Sequence, residues 1–395
     1  NVIHIEDQGE KKRCGHLGDK ELNIYDDYAL ILKSANLAAQ ELLGPEQAEK
    51  HWVRFVARTD AYSAKRIVNS NKLYDPDNLE HKFVDWERGP TPDGKYLYLK
   101  QGINPETGRI WGLDLSIERC ARVVDDGLAS HVWMETPDAD LHIAKDFLIN
   151  VNKILVKKGK KAYGLYNHSP SFDWDIKFFA EADELSKLII NKFCSSNIEL
   201  TINNLKNFIM ENGDNIKGDH LFSEENYKKI LINCRDYRKG NKNWKLELRY
   251  IINQKDNNYP FSNMKKKLKD DLDKGFRPRD FINEIIVDQR LDNFGVMLSS
   301  FGFDMHLITL PEFHVTAFNM HKLSQNFANV GINAFVKTTQ RKERIKSETD
   351  HSFTYYKHQT ATGTGVEAAF NNAVGSYDVN TLEDSTEQDD IKTRD

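Results

Sequence analysis

The chain has 395 residues, a net charge of −5 and 39% hydrophobic residues, enough for one large domain or two ordinary ones. No apolar run is long enough to span a bilayer, and the near-neutral charge gives no pull towards nucleic acid or a membrane surface. Cys14, Cys120, Cys194 and Cys234 lie far apart with no CxxC spacing. That argues against a zinc site or a disulfide framework, and it predicts a reducing, cytoplasmic compartment.

In chain order, "NVIHIED" (1–7) is a short apolar run ending in carboxylates and predicts a strand. Because the chain begins at Asn1 directly on this strand, it is expected to be a piece of a longer polypeptide. "EKKRCGHLGDK" (10–20) follows as a basic loop. "DDYALILKSANLAAQELLG" (26–44) predicts a helix, with an Asp start and a Gly stop. "HWVRFVARTDA" (51–61) predicts a strand ending in Arg58 and Asp60. The segment 64–111 reads as a long loop with turns such as "GPTPDGK". "ASHVWMET" (129–136) predicts a strand ending in Glu135. "PDADLHIAKDFLINVNKILVKKGK" (137–160) predicts a helix, acidic at its start and basic at its end. "KAYGLYNHSPSF" (161–172) is a strand running into a polar loop. Residues 175–303, rich in Lys, Asn and Asp, predict a mostly helical insertion whose last helix, 279–301, leads back to the fold. "DMHLITLPEFH" (304–314) predicts one more strand, residues 304–375 carry it with C-terminal helices, and 376–395 is an acidic tail.

Alternating β and α elements imply a parallel sheet. Polar residues at the strand ends suit the active-site face of a (β/α)8 barrel, although only about five of the eight strands can be read. The four domains expected are thus 1–174, 175–303, 304–375 and 376–395.

Cys14 has Lys11, Lys12, Arg13 and His16 within a few residues. Nearby positive charge favours a thiolate, and Gly15 lets the backbone turn tightly between Cys14 and His16. From spacing alone, a chance surface loop is an equally good reading. The carboxylates Glu6 and Asp7 suit a hard cation such as magnesium. Arginine, asparagine and serine at the other strand ends suit a carboxylate substrate. Asp60 reads as a helix N-cap or a partner for nearby backbone. His168 reads as at most indirect, His314 and His358 as structural, and Cys120, Cys194 and Cys234 as buried.

Taken together and in order, "IHIEDQ…KKRCGHLG", "ARTDA", "WMET", "YNHSPSFDW", "LITLPEFH" and "YKHQ" resemble the isocitrate lyase family, over residues 1–174 and 304–388. The Lys-Arg-Cys-Gly-His string alone is less specific, since 2-methylisocitrate lyases carry similar strings; "SPSF" is the discriminating stretch. The resemblance implies a (β/α)8 barrel, a homotetramer, and magnesium-dependent (or manganese-dependent) cleavage of isocitrate to glyoxylate and succinate. It implies Cys14 as the acid that protonates the succinate carbon, with His16 and His4 setting its protonation state, and Glu6 as a metal ligand. It further implies that Gly15 and Arg58 contact substrate and that Glu135 orients Arg58 or a metal-bound water. Asn167, Ser169, Ser171 and Thr309 are implied as a clamp on the succinate carboxylates.

There are departures. The family's Ser-Gly-Trp substrate loop and its principal metal-binding aspartates are expected to lie upstream of residue 1, so the chain is expected to be inactive in isolation. Asp19 in "GDKEL" stands where the family usually has glycine, adding a negative charge near the Cys14 loop. "LPEFH" replaces a commoner small-residue version after Thr309. The alternatives are a 2-methylisocitrate lyase or an inactive, oligomer-forming remnant.

Overall fold

The computed structural model describes residues 2–6, 21–23, 25–50, 54–68, 75, 77–87, 96–172, 174–239 and 278–350. Cys14, Gly15, His16, Asp19, the "GPTPDGK" turn, His358 and the acidic tail lie outside the described residues, as do the side chains of His4 and Glu6. The chain divides into two units, residues 1–309 and 310–395.

The first unit is built on a five-stranded parallel sheet. Its strands are β1 (Val2–Glu6), β3 (Arg54–Thr59), β6 (His131–Met134), β7 (Tyr163–Asn167) and β8 (Phe303–Leu307), neighbours in sequence order. Helices α1 (Tyr25–Leu43), α2 (Pro45–Lys50), α3 (Trp111–Asp125) and α4 (Leu141–Val156) fall in the connections. The first three pairings are in simple register, Glu6 opposite Arg58 and Arg58 opposite Trp133; a bulge at Gly164/Leu165 adjusts β7 against β8. Strands buried on both faces read as continuous apolar runs. Accordingly, Phe55 and Ala57 pack with Tyr25, Leu32 and Val123 on the helix side, while Val56, Trp133 and Leu165 form a cluster on the other face.

Residues 64–111, read as loop, contribute two of the three strands of a second small sheet. β4 (Arg66–Val68) pairs in parallel with β2 (Glu21–Asn23) and antiparallel with β5 (Tyr96–Tyr98). Its core is Ile67, Leu97, Leu99, Phe83 and Val84, and a buried bidentate pair, Arg119 to Glu80 at 2.7 Å through both nitrogens, ties it to α3. Strands of three residues are too short to show alternation, so packing rather than local pattern makes them. The last strand is also shorter than its sequence suggests. It ends at Leu307, Leu310 adopts a left-handed conformation (φ 53°), and Pro311 opens the helix α9 (Pro311–Val330), as its fixed φ and missing N–H favour at a first helical position.

Between β7 and β8 lie α5 (Trp174–Ile189), a π-helical turn (Ile190–Cys194), α6 (Ile202–Asn212), α7 (Glu224–Arg238) and α8 (Pro278–Phe301). Arg290 of α8 grips the fully buried Asp219 through two bonds of 2.8 and 2.7 Å. Contrary to the reading from spacing, Cys194 and Cys234 form a disulfide, Cα atoms 4.4 Å apart. The intervening α6 hairpin returns α7 to the π-helical turn, a closure invisible in linear spacing. Cys120 is buried in α3.

The second unit comprises α9, α10 (Ile332–Phe335), a π-helical turn (Val336–Gln340) and α11 (Arg341–Thr349). Among its described residues only Ala334 is buried, whereas Phe313, Val315, Phe318 and Met320 are more than half exposed. No helix among the described residues is long and apolar enough to cross a membrane.

Candidate active site

The two-residue period of a strand sends alternate side chains to one face. Extending the face that carries Val56, Trp133, Leu165, Met305 and Leu307 past the strand ends reaches Arg58, Asp60, Glu135, Asn167, Ser169 and Thr309. Arg58, Glu135, Asn167, Ser169 and Thr309 were predicted from sequence, and they share one face at the C-terminal edge of the sheet. That edge is where parallel α/β sheets place their chemistry.

Arg58 is the centre of a buried cluster. Its Nη2 lies 2.9 Å from Glu135 Oε2 and 3.3 Å from Asp60 Oδ1. Its guanidinium carbon sits 4.6 Å from the centre of the Trp133 ring, a stacking arrangement open to arginine but not to lysine in this planar form. Arg58, Asp60 and Glu135 are 8%, 0% and 4% exposed. The guanidinium bridges both carboxylates, and buried charge persists only where partners hold it. Strand geometry explains the meeting: the Glu135 amide donates to the Thr59 carbonyl (2.9 Å), which brings the two strand ends level. Asp60, read as a cap or backbone partner, is instead the second carboxylate on Arg58, and no helix begins there. The signal available in the sequence was its position two residues beyond Arg58.

A second polar group occupies the ends of β7 and β8. Thr309 Oγ1 donates to Asn167 Oδ1 at 2.5 Å; no described residue accepts from the Asn167 amide nitrogen, which stays available as a donor. In the following loop, the Ser169 and Ser171 hydroxyls are 2.7 Å apart. The Ser171 amide donates to Ser169 Oγ (3.3 Å) and Trp174 Nε1 to the Ser169 carbonyl (3.0 Å). Ser169 is buried and Ser171 exposed.

His168 falls on the opposite, helix-facing side. Its ring stacks on Trp174 and on His306, with Nε2 3.0 Å from His306 Nδ1. Burial, reinforced by His306, lowers its pKa from 6.5 to about 4, so the imidazole is neutral near pH 7.

Among the described residues, no group of three or more His, Cys, Asp and Glu side chains could hold a metal ion. Asp60 and Glu135 are both engaged by Arg58, so the described side chains alone do not fit one. Glu6, the ligand implied by the sequence resemblance, occupies the β1 position in register with Arg58.

The fold and site thus define a parallel α/β chain with a guanidinium–carboxylate cluster and a hydroxyl–amide group at its strand ends. Over under half its length, it is similar to isocitrate lyases, consistent with a partial isocitrate lyase-like protein. The isocitrate lyase of Corynebacterium glutamicum is 34% identical over 185 residues, 47% of this chain and 35% of that protein. Isocitrate lyase 1 of Mycobacterium tuberculosis is 33% identical over 172 residues, 43% of this chain and 33% of that protein. A bifunctional glyoxylate cycle protein of Caenorhabditis elegans is 30% identical over 173 residues, 44% of this chain and 15% of that protein. In the two bacterial relatives, the match spans 35% and 33% of their length. No family model matches the chain.

Proposed function

We propose that the protein containing this chain is an isocitrate lyase, a carbon–carbon lyase that cleaves isocitrate to glyoxylate and succinate on a (β/α)8 barrel to which this chain contributes five strands. The observation that carries the reading is the sharing of one sheet face by the Arg58 cluster and the Asn167–Thr309 pair. It puts cationic and neutral hydrogen-bond donors on the same sheet face, as a substrate bearing several carboxylates requires. The similarity to isocitrate lyases points the same way.

In this reading, Asn167, Ser169, Ser171 and Thr309 hold the carboxylates of the succinate half. A base removes the C2 hydroxyl proton, that oxygen becomes the carbonyl of glyoxylate, and the C2–C3 pair passes to C3 and its neighbouring carboxylate. Arg58, held by Asp60 and Glu135, faces the charge that shifts onto this carboxylate. Cys14 delivers its thiol proton to C3, with His16 and His4 governing its protonation and Gly15 allowing the loop to approach. The family resemblance also implies magnesium, or manganese in its place. Glu6 is offered as this chain's ligand, and the roles of Arg58, Asn167 and Cys14 stand without the ion. A homotetramer is proposed as well, supported by the apolar side chains that α9 leaves exposed.

A second reading is an inactive assembly module, supported by the apolar side chains that α9 leaves exposed. Release of the 2-oxo acid by the complete gene product, glyoxylate from isocitrate and pyruvate from 2-methylisocitrate, decides between them. Preferential turnover of isocitrate supports the proposal; preference for the methylated substrate or no turnover of either overturns it.

A further inference from the structure

We propose that a cavity of about 600 Å³ walled by α3 and α4 is a binding site for a small organic phosphate. The site is separate from the strand-end cluster, and none of the residues discussed above for isocitrate cleavage lines it.

Three carboxylates line the cavity: Glu106, Asp114 and Glu118. Two are already matched. Glu118 pairs with Lys82 at 3.0 Å. Asp114 pairs with Arg109 at 3.4 Å and accepts from Asn104 and Thr107 at 2.7 and 2.5 Å. Arg109 is committed further to Asp146.

Lys100, Lys153 and Lys157 also line the cavity, and among the described residues none of them has a carboxylate partner. Lys153 and Lys157 are four residues apart at the end of α4, a spacing at which like charges repel on a helix. Their neighbours Lys158 and Lys160 share Asp125 as an ion-pair partner; these two have no such partner among the described residues. Lys100 sits 4.3 Å from the centre of the Trp111 ring, so an ammonium group lies beside an aromatic wall that Ile117 and Ile154 extend. The cavity therefore joins three ammonium groups to an apolar wall. Among the described residues none of the three pairs with a carboxylate, Lys153 donates only to Asn150 Oδ1 at 3.3 Å, and the single unmatched carboxylate is Glu106. Lysine binds phosphate as a point charge, whereas planar carboxylates are better matched by arginine forks, and the one arginine here is occupied. A phosphate with an apolar or aromatic body fits both halves of the site.

Calorimetric titration of the purified chain with phenyl phosphate, inorganic phosphate and benzoate tests this. Phenyl phosphate is expected to bind saturably at one site, and benzoate roughly tenfold more weakly or worse. Lys153→Gln/Lys157→Gln should weaken phenyl phosphate by about tenfold or more; both side chains are exposed, so an unchanged melting temperature verifies the fold. Inorganic phosphate binding more weakly than phenyl phosphate assigns a role to the Trp111 wall. The proposal is overturned if phenyl phosphate shows no saturable binding, if benzoate binds equally well, if inorganic phosphate matches phenyl phosphate, or if the double variant binds like the parent.

Discussion

Arg58 and Glu135 meet at 2.9 Å across the ends of two adjacent parallel strands, both buried, with Asp60 on the same guanidinium nitrogen. Arg58 contacts both carboxylates, so removing it and removing one carboxylate have unequal consequences. Arg58→Met removes the guanidinium that two buried carboxylates share and is expected to cost about 3–5 kcal/mol. Glu135→Gln keeps the Arg58–Asp60 contact and should cost clearly less. Urea denaturation of both variants measures this, and equal losses would contradict the bridging role of Arg58.

Cys14→Ser in the complete gene product should lower glyoxylate release by about 10²–10⁴-fold, because a serine hydroxyl is a far weaker acid than a thiol. Steady-state kinetics with isocitrate reads the loss. Turnover close to that of the parent removes Cys14 from the role of proton donor.

Thr309→Val deletes the donor to Asn167 Oδ1, leaving a buried amide oxygen unsatisfied at a cost of about 1–3 kcal/mol. If the pair positions a substrate carboxylate, KM for isocitrate rises in Thr309→Val and recovers in Thr309→Ser, which keeps the hydroxyl. Unchanged KM in the valine variant would show that the pair only braces the ends of β7 and β8.

The Cys194–Cys234 bond closes a loop with a sequence separation of 40, for which the chain-entropy account gives about 4 kcal/mol. Thiol reductant should therefore lower the melting temperature, and the Cys194→Ser/Cys234→Ser variant should melt low with or without reductant. A melting temperature indifferent to reductant in the parent argues that the two sulfurs are not bonded in solution.

His168 supplies a pH dependence. Its pKa is lowered on folding from 6.5 to about 4, so the unfolded chain takes up the proton first as pH falls. The stability tied to the neutral ring is complete above pH 6.5 and is lost progressively down to about pH 4. Full burial of such a shift would be worth about 3 kcal/mol, and partial exposure of the ring reduces this. His168→Phe should flatten that part of the stability–pH curve; a curve with the same slope would place the titration elsewhere.

Local pattern carried the sequence reading a long way. Alternation, β-branched runs and helix caps identified the five strands of the parallel sheet, and the buried strands β3, β6 and β7 read as apolar runs. The same runs end in Arg58, Glu135, Asn167 and Thr309, so the candidate residues were legible as the first polar positions after each strand. The small β2–β4–β5 sheet was not legible, since three-residue strands have no period to detect and exist through packing around Ile67 and Leu97. Asp60 was misread for a related reason. Its local neighbours suggest a cap, and only the register that sets β3 beside β6 brings it and Glu135 to the same guanidinium. The Thr309–Asn167 hydrogen bond and the Cys194–Cys234 bridge likewise join residues far apart in the chain. Such pairings depend on register and helix return, which no short window of sequence encodes, whereas strand direction and polarity are written residue by residue.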